Sequence, residues 1–210
     1  MKLDAFLEHY VDAVPSLLRA LDLGLVERAV EWLREARDTG RTIYSAGNGG
    51  SSTIASNLVV DLVKSASYGK PRRFRAHHLG DSVSTLTAYA NDEGYESIFA
   101  EPLRGFASAG DVLVVISGSG DSPNVLAAVR VGKELGCRTI ALTSGQQGQL
   151  RSMVDLPLLV ASRHMGRLED CFFHLSHLLT YPFIEDVEGV HESAEPTRSV
   201  VVVPGVSESS

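Results

Sequence analysis

The chain has 210 residues, and cysteine, aromatic side chains and long apolar runs are all scarce in it. Its two cysteines, Cys137 and Cys171, are too few for a disulfide framework and lack a CxxC spacing, so we expect two buried thiols in a reducing compartment. No apolar run approaches the roughly 18 residues that span a bilayer. The N-terminus, with Asp4 and Glu8, lacks the basic and apolar regions of a secretion signal. These absences exclude a membrane protein and favour the cytoplasm.

Basic charge is scarce too, with 19 Lys and Arg residues against 26 Asp and Glu residues and a net charge of −7. Binding along a nucleic-acid backbone needs a concentrated basic face, so we expect no nucleic-acid partner. The one basic run, at residues 70–78, could contact a nucleic acid or a second anionic group of a substrate. Because the run is short and begins a predicted strand, we interpret it as a solvated sheet edge.

The spacing of apolar residues predicts one α/β domain. Apolar residues recur every three or four positions before Gly40 and predict two helices. Short β-branched runs, glycine- and serine-rich turns and amphipathic segments then alternate, as in a parallel sheet with crossover helices. The predicted strands are 42–45, 73–76, 112–116, 139–143 and 156–160. The predicted helices lie near 51–65, 82–90, 95–107, 122–136, 147–153 and 167–185. We predict one domain at 1–187, including a helical hairpin at 1–40, and a tail at 188–210.

Two glycine- and serine-rich turns carry the chemical signal. Each follows a predicted strand and precedes a predicted helix: residues 45–53 read SAGNGGSST, and residues 116–124 read ISGSGDSPN. Glycine lets the backbone approach a ligand closely, and serine hydroxyls with free amides at a helix N-terminus stabilise an anion. In the second turn, Ser122 is a predicted N-cap and Pro123 fits the first helical position.

Neither turn has the lysine of a P-loop or the GxGxxG spacing of a dinucleotide site, which disfavours nucleoside triphosphates and NAD. Such turns also occur as plain connections that cap a helix. Here two of them follow the carboxyl ends of predicted parallel strands, the edge at which open α/β sheets bind ligands. We therefore predict that the pair binds a phosphate group and that no nucleotide cofactor is needed.

On these turns and two further motifs, the sequence resembles the SIS (sugar isomerase) domain family, and within it the phosphoheptose isomerases. The resemblance covers about residues 3–186. It rests on GNGGS at 47–51, ANDEGY at 90–95, GDVL at 110–113 with ISGSGDSPNV at 116–125, and a late helix with RLED at 167–170 and His177. It implies a flavodoxin-like, three-layer α/β sandwich with a five-stranded parallel sheet. It also implies a homotetramer with active sites at subunit interfaces.

The resemblance further implies a sugar-phosphate substrate and a set of residues that bind it. The phosphate-binding serines of the family match Ser51, Ser117, Ser119 and Ser122. The contacts to sugar hydroxyls match Asn48, Asp92 and Gly118, the last at a position that is commonly threonine. The other substrate-binding residues implied by the resemblance are Gly49, Gly50, Asn91 and Glu169.

The family reaction interconverts a ketose 7-phosphate and an aldose 7-phosphate. Moving a proton between adjacent carbons needs a base and stabilisation of the enediolate. The resemblance places Asp61 at the position of the catalytic Glu of the family and keeps its partner, His177. Asp is one methylene shorter than Glu, a difference of roughly 1 Å that matters for proton transfer. We expect Asp61 and His177 to act as acid/base residues on sedoheptulose 7-phosphate or a related long-chain sugar phosphate.

The family often binds zinc through His, Glu, Gln and His, and the matching residues here are Asn57, Asp61, Glu169 and His177. Asn57 and Asp61 are four residues apart and share one face of a predicted helix. This oxygen-richer set is poorer for zinc and favours a harder divalent cation or none. Zinc or another divalent cation is therefore an expectation that comes from the resemblance alone.

Other interpretations stay open at this point. The substituted residues Asn57 and Glu169 motivate a non-catalytic SIS scaffold that binds a phosphosugar or another protein. Asp61 could lie on a solvated helix face, and His177 could be a satisfied core histidine. A third possibility keeps the isomerisation but places it in a specialised pathway for unusual heptoses or octoses.

Overall fold

Five strands form one parallel sheet in the computed structural model, which describes residues 2–187. The strands are β1 Thr42–Gly47, β2 Arg75–His78, β3 Val112–Ser117, β4 Arg138–Ser144 and β5 Leu156–Val160. Their order across the sheet is β2-β1-β3-β4-β5, and every neighbouring pair is parallel. The tail predicted at 188–210 lies outside the described residues.

Helices cover both faces of the sheet and complete three layers. They are α1 Leu3–Arg19, α2 Leu23–Asp38, α3 Gly50–Val60, α4 Val83–Asp92, α5 Ala100–Phe106, α6 Pro123–Glu134, α7 Leu150–Met153 and α8 Met165–Ile184. A π turn, Asp61–Ser65, continues α3, and a 3₁₀ turn, Tyr95–Ser97, precedes α5. Side chains of α2, α3 and α8 pack on one face of the sheet, and side chains of α5 and α6 pack on the other.

The centre of the sheet is apolar on both faces. In β3, Val114 and Ile116 pack under α2, α3 and α8, whereas Leu113 and Val115 belong to the opposite cluster. A strand covered by helices on both sides requires such a continuous apolar run. The predicted α/β sandwich, with its five-stranded parallel sheet and two N-terminal helices, is confirmed.

Two predicted helices are shorter than expected. The helix predicted at 95–107 is interrupted, because Pro102 has no amide to continue the hydrogen bonding of an earlier turn, and α5 therefore begins only two residues before it. The helix predicted at 147–153 begins at Leu150, because Gly148 has a φ of +83°, which lies outside the helical region. Both differences arise from single residues, one that lacks a backbone amide and one whose backbone conformation is not helical.

The strand order reverses at β1. From β1 the chain passes through α3 to β2 on one side, and β3 lies on the other side of β1. Gly47 at the end of β1 is the register partner of Ile116 near the end of β3. Ligands of open α/β sheets bind at such a reversal, beyond the carboxyl ends of the strands. The fold therefore places the two glycine- and serine-rich turns side by side at that edge.

Both cysteines are buried, as expected, and burial raises the pKa of the Cys137 and Cys171 thiols to about 11. Neither thiol is therefore a reactive thiolate at neutral pH. Within residues 2–187, no helix is both long enough and apolar enough to span a bilayer.

Candidate active site

The turn after β3 gathers three serine hydroxyls, which we call the serine cup. Ser117 Oγ lies 3.4 Å from both Ser119 Oγ and Ser122 Oγ, and the last two oxygens are 3.5 Å apart. The amides of Gly120 and Asp121 donate to the Ser117 and Ser119 hydroxyls at 3.2 and 3.3 Å. Ser122 is the N-cap of α6, as predicted, but its side chain makes no capping hydrogen bond. Its hydroxyl is available to an anion at the positive end of the helix.

The turn after β1 leads directly into α3. Gly49 has a φ of +54°, a conformation that other residues disfavour. A Cβ at Gly50 would overlap the carboxylate of Glu169, which lies against the first turn of α3. The dipole of α3 stabilises a carboxylate at this end. Ser51 follows and is buried. Three of the predicted substrate-binding residues, Gly50, Ser51 and Glu169, are therefore neighbours.

A reciprocal pair of amides joins the two turns. Asn48 Nδ2 donates to Asn124 Oδ1 at 2.9 Å, and Asn124 Nδ2 donates to Asn48 Oδ1 at 2.8 Å. The Tyr95 hydroxyl also donates to Asn48 Oδ1, at 3.2 Å. No role was predicted from the sequence for Asn124 or Tyr95, although both belong to motifs on which the resemblance rests. Together they orient Asn48, which is predicted to contact the sugar hydroxyls, beside the serine cup.

The predicted substrate-binding residues Asn91 and Asp92 end α4 and are exposed. The Asn91 amide donates to the Asp92 carboxylate at 2.7 Å. Tyr95, three residues further along the chain, reaches Asn48. The end of α4 is thus tied to the turn after β1, and Asp92 faces solvent near it.

Gly118 stands at the position that is commonly threonine in the family. A Cβ at Gly118 would lie 2.6 Å from Met165 Sδ and 3.1 Å from its Cε. Met165 is the first residue of α8. Its thioether therefore occupies the space of the missing side chain, and Gly118 presents only its backbone.

Asp61 and His177 come together at the other end of α3. The Asp61 side chain is 15% exposed and accepts hydrogen bonds at 3.3 Å from the Asn57 amide and from the Thr180 hydroxyl. His177 Nε2 lies 4.0 Å from Asp61 Oδ2, and the His177 side chain is 49% exposed. Asp61 is therefore held by partners on α3 and α8 rather than solvated, and His177 is not a core residue. Thr180, one turn after His177, was not anticipated from the sequence.

The four residues that the resemblance assigns to a metal do not form one site in this chain. Asn57, Asp61 and His177 are neighbours, but Glu169 is eight residues before His177, about 12 Å along the axis of α8. Its carboxylate lies against Gly50 instead. Among residues 2–187, no three His, Cys, Asp or Glu side chains are grouped so that they could hold a metal ion. The donors of one chain therefore do not fit a zinc ion.

The basic run at 70–78 differs in part from the expected solvated edge. Lys70 and Arg72 make ion pairs on the surface, and the side chains of β2 alternate between exposed and buried. His78 is on the buried side, only 6% exposed, and contacts Ser52. The solvated-edge interpretation is therefore wrong for His78, because successive side chains of a strand point to opposite faces.

Comparison with known proteins agrees with this arrangement. A family model described as the SIS domain matches residues 9–144. The chain belongs to the SIS domain family, as the resemblance of its motifs indicated.

Within this family, the chain is similar to phosphoheptose isomerases. It is 37% identical over 154 residues to the phosphoheptose isomerase of Citrifermentans bemidjiense, an alignment that covers 73% of this chain and 80% of the relative. The solved phosphoheptose isomerase from Francisella tularensis has a TM-score of 0.80 at 28% identity and covers 87% of this chain and 96% of its own. The one from Neisseria gonorrhoeae has a TM-score of 0.79 at 26% identity, with coverages of 87% and 98%.

Proposed function

We propose that the protein is an aldose-ketose isomerase that converts sedoheptulose 7-phosphate into a heptose 7-phosphate through an enediolate. The observation that carries this proposal is the serine cup beside the turn after β1, in a chain 37% identical to a phosphoheptose isomerase. The substrate is a sugar phosphate, no nucleotide cofactor takes part, and we expect the enzyme to act in the cytoplasm.

The serine cup and Ser51 hold the phosphate group. The protein has a net charge of −7, so an anionic substrate must be bound by local donors rather than by overall attraction. Hydroxyls of the cup, amides of its turn and the N-terminus of α6 supply such donors. Asn48, Asp92, Glu169 and the backbone of Gly118 contact the sugar hydroxyls.

Asp61 and His177 carry out the proton transfers. The Asp61 carboxylate removes the proton from the carbon beside the carbonyl and returns it to the neighbouring carbon. His177 moves the hydroxyl proton between the two oxygens of the enediolate. Asn57 and Thr180 donate hydrogen bonds to Asp61 and orient its carboxylate. We assign no step of this mechanism to zinc or another divalent cation, because the four expected ligands do not meet within one chain.

We further propose a homotetramer with active sites between subunits. Asp61 follows Ser51 by ten residues, about 15 Å of axial rise. The seven bonds from the phosphorus to the second carbon of a ketose 7-phosphate span about 8 Å at about 1.2 Å per bond, as in an extended backbone. A second copy would therefore bring its acid/base pair to the serine cup of the first. The exposed apolar residues Leu3, Leu7 and Val11 lie on one face of α1 and favour such a contact.

The proposal is tested by using NMR to monitor proton exchange of the substrate in deuterated water. We expect deuterium to enter the carbon beside the carbonyl of sedoheptulose 7-phosphate and a heptose 7-phosphate to accumulate. Six- to eight-carbon sugar phosphates are screened together, with and without zinc, which also covers the specialised-pathway hypothesis. If no member of the set exchanges its proton, the isomerase proposal is wrong.

The scaffold hypothesis is not favoured. The curated relatives are isomerases by name, and Asp61 and His177 remain in contact although Asn57 and Glu169 are substituted. An Asp61→Ala variant that kept the biological activity of the protein, while surface substitutions abolished it, would restore the scaffold hypothesis.

A further inference from the structure

His78 is a buried histidine beside the candidate active site that the mechanism does not use. It is the last residue of β2, and both of its ring nitrogens have partners. Nδ1 lies 3.1 Å from the Ser45 carbonyl oxygen and 3.1 Å from the Ser45 hydroxyl. Nε2 lies 2.8 Å from the Ser52 hydroxyl. A histidine held at both nitrogens has a defined tautomer.

The partners of His78 determine where its proton is. A carbonyl oxygen only accepts, and the Ser45 hydroxyl donates its own hydrogen to the Ala55 carbonyl at 3.0 Å, so Nδ1 carries the hydrogen. Nε2 is then an acceptor, and the Ser52 hydroxyl donates to it. Burial lowers the pKa of His78, against the opposing charge of Asp81. The ring is therefore a neutral base that holds the hydrogen of Ser52.

Ser52 connects this base to the turn after β1, which belongs to the proposed substrate site. It follows the phosphate-binding Ser51 in the first turn of α3. It lines a cavity of about 670 Å³ whose walls include Gly49, Asn57 and Asp81. A Cβ at Gly80 would lie only 2.8 Å from Nε2, so glycine keeps this nitrogen accessible. The Ser52 oxygen, with its hydrogen committed to His78, can accept a proton from a sugar hydroxyl.

We propose that Ser52 and His78 form a proton relay that opens the cyclic form of the sugar-phosphate substrate before it is isomerised. This inference rests on the proposed function. A seven-carbon ketose phosphate closes into a ring through a hydroxyl near its phosphate-bearing carbon, whereas isomerisation needs the open-chain carbonyl. In the ring, the anomeric carbon lies close to the phosphate end and hence to Ser52. In the open chain, it extends towards the acid/base pair.

The relay balances without any co-reactant. The anomeric hydroxyl gives its proton to Ser52 Oγ as the Ser52 hydrogen passes to Nε2. The bond between the anomeric carbon and the ring oxygen breaks, its electron pair stays on the ring oxygen, and the anomeric oxygen forms the carbonyl. Nε2 then returns its proton to Ser52, and the proton leaving Ser52 goes to the ring oxygen. Ser52 and His78 end as they began.

The experiment separates ring opening from isomerisation. An Asp61→Ala background stops isomerisation, so that interconversion of the ring anomers of ¹³C-labelled sedoheptulose 7-phosphate can be followed alone by exchange NMR. We expect this protein to accelerate interconversion over buffer. Adding His78→Gln should slow the accelerated rate about 100-fold, the lower range for a lost acid/base group. The Gln oxygen still accepts from Ser52 but does not take up a proton.

Two further variants complete the test. Ser52→Ala in the same background should slow interconversion equally, and it keeps the test decisive if His78→Gln does not fold. His77→Gln is the matched control, because His77 is exposed on the opposite side of β2, and it should change nothing. Interconversion that is as fast without His78 or Ser52 as with them would overturn the relay. Failure of the wild-type protein to exchange the carbon proton would instead overturn the isomerase proposal.

Discussion

The serine cup and the Asp61–His177 pair have different structural origins. The cup is formed by six consecutive residues, at 117–122, in a turn whose ends are held by β3 and α6. The acid/base residues lie 116 positions apart, on α3 with its π turn and on α8, and meet only because these helices pack on the same face of the sheet. The proposed phosphate site is therefore formed locally in the chain, whereas the proposed proton-transfer pair depends on the packing of the whole core.

The largest expected effect is the fall in kcat when Asp61 of the Asp61–His177 pair is replaced. Asp61→Asn keeps the shape of the side chain but removes the base, so kcat should fall by about 10²–10⁴-fold. KM should stay near the wild-type value, because the serine cup is untouched. Steady-state kinetics with sedoheptulose 7-phosphate measure both. Asn57→Ala removes only an orienting hydrogen bond and should cost less. A rise in KM without a fall in kcat would show that the two regions are not separate.

Substitutions in the serine cup should have the opposite effect on the kinetics, raising KM and leaving kcat nearly unchanged. Ser119→Ala or Ser122→Ala removes a hydrogen bond to a charged phosphate, worth about 1.5–3 kcal/mol, so KM should rise about tenfold to 100-fold. The value of kcat should change little. Ser152→Ala on α7 is the control, because Ser152 is exposed and lies outside the cup. If Ser119→Ala mainly lowered kcat, the cup would have to take part in the chemical step.

Gly50 belongs to a local turn, the one after β1, but its surroundings depend on the packing of α8, because the Glu169 carboxylate lies against it. Gly50→Ala would overlap the Glu169 carboxylate, which is the end of a flexible side chain, and should destabilise the fold by about 1 kcal/mol, the lower end of the range for added volume in a packed site. Urea unfolding measures this loss. The double variant Gly50→Ala/Glu169→Ala removes the overlapping group and should recover most of the loss. No recovery would mean that the strain lies in the backbone rather than in this contact.

The smallest effect concerns the pH dependence of stability at His78. Burial lowers its pKa in the folded protein from 6.5. The unfolded chain therefore binds more protons between the lowered pKa and 6.5, and stability should fall as pH falls through this range. The contribution is at most about 1.4 kcal/mol per pH unit. Thermal unfolding of the wild type and of His78→Gln over this range tests it. Equal slopes would assign the pH dependence to other groups.

The parts of the site that were predicted from the sequence are those with local causes. Ser117, Ser119 and Ser122 form a cup because one short turn holds them. Asn124 and Tyr95 escaped prediction, since their role is to orient Asn48 across two turns. Thr180 escaped too, because its contact with Asp61 requires α8 to lie beside α3.

The amino-acid sequence by itself determined the α/β class, the parallel strands and the two glycine- and serine-rich turns, because apolar periodicity and glycine act over a few residues. Only the tertiary structure decided where Glu169 and His78 lie. The packing of α8 along α3 puts the Glu169 carboxylate at Gly50 and away from Asp61. The pleat of β2 turns His78 inward to Ser52 while its basic neighbours stay in solvent. Both positions depend on contacts between distant segments.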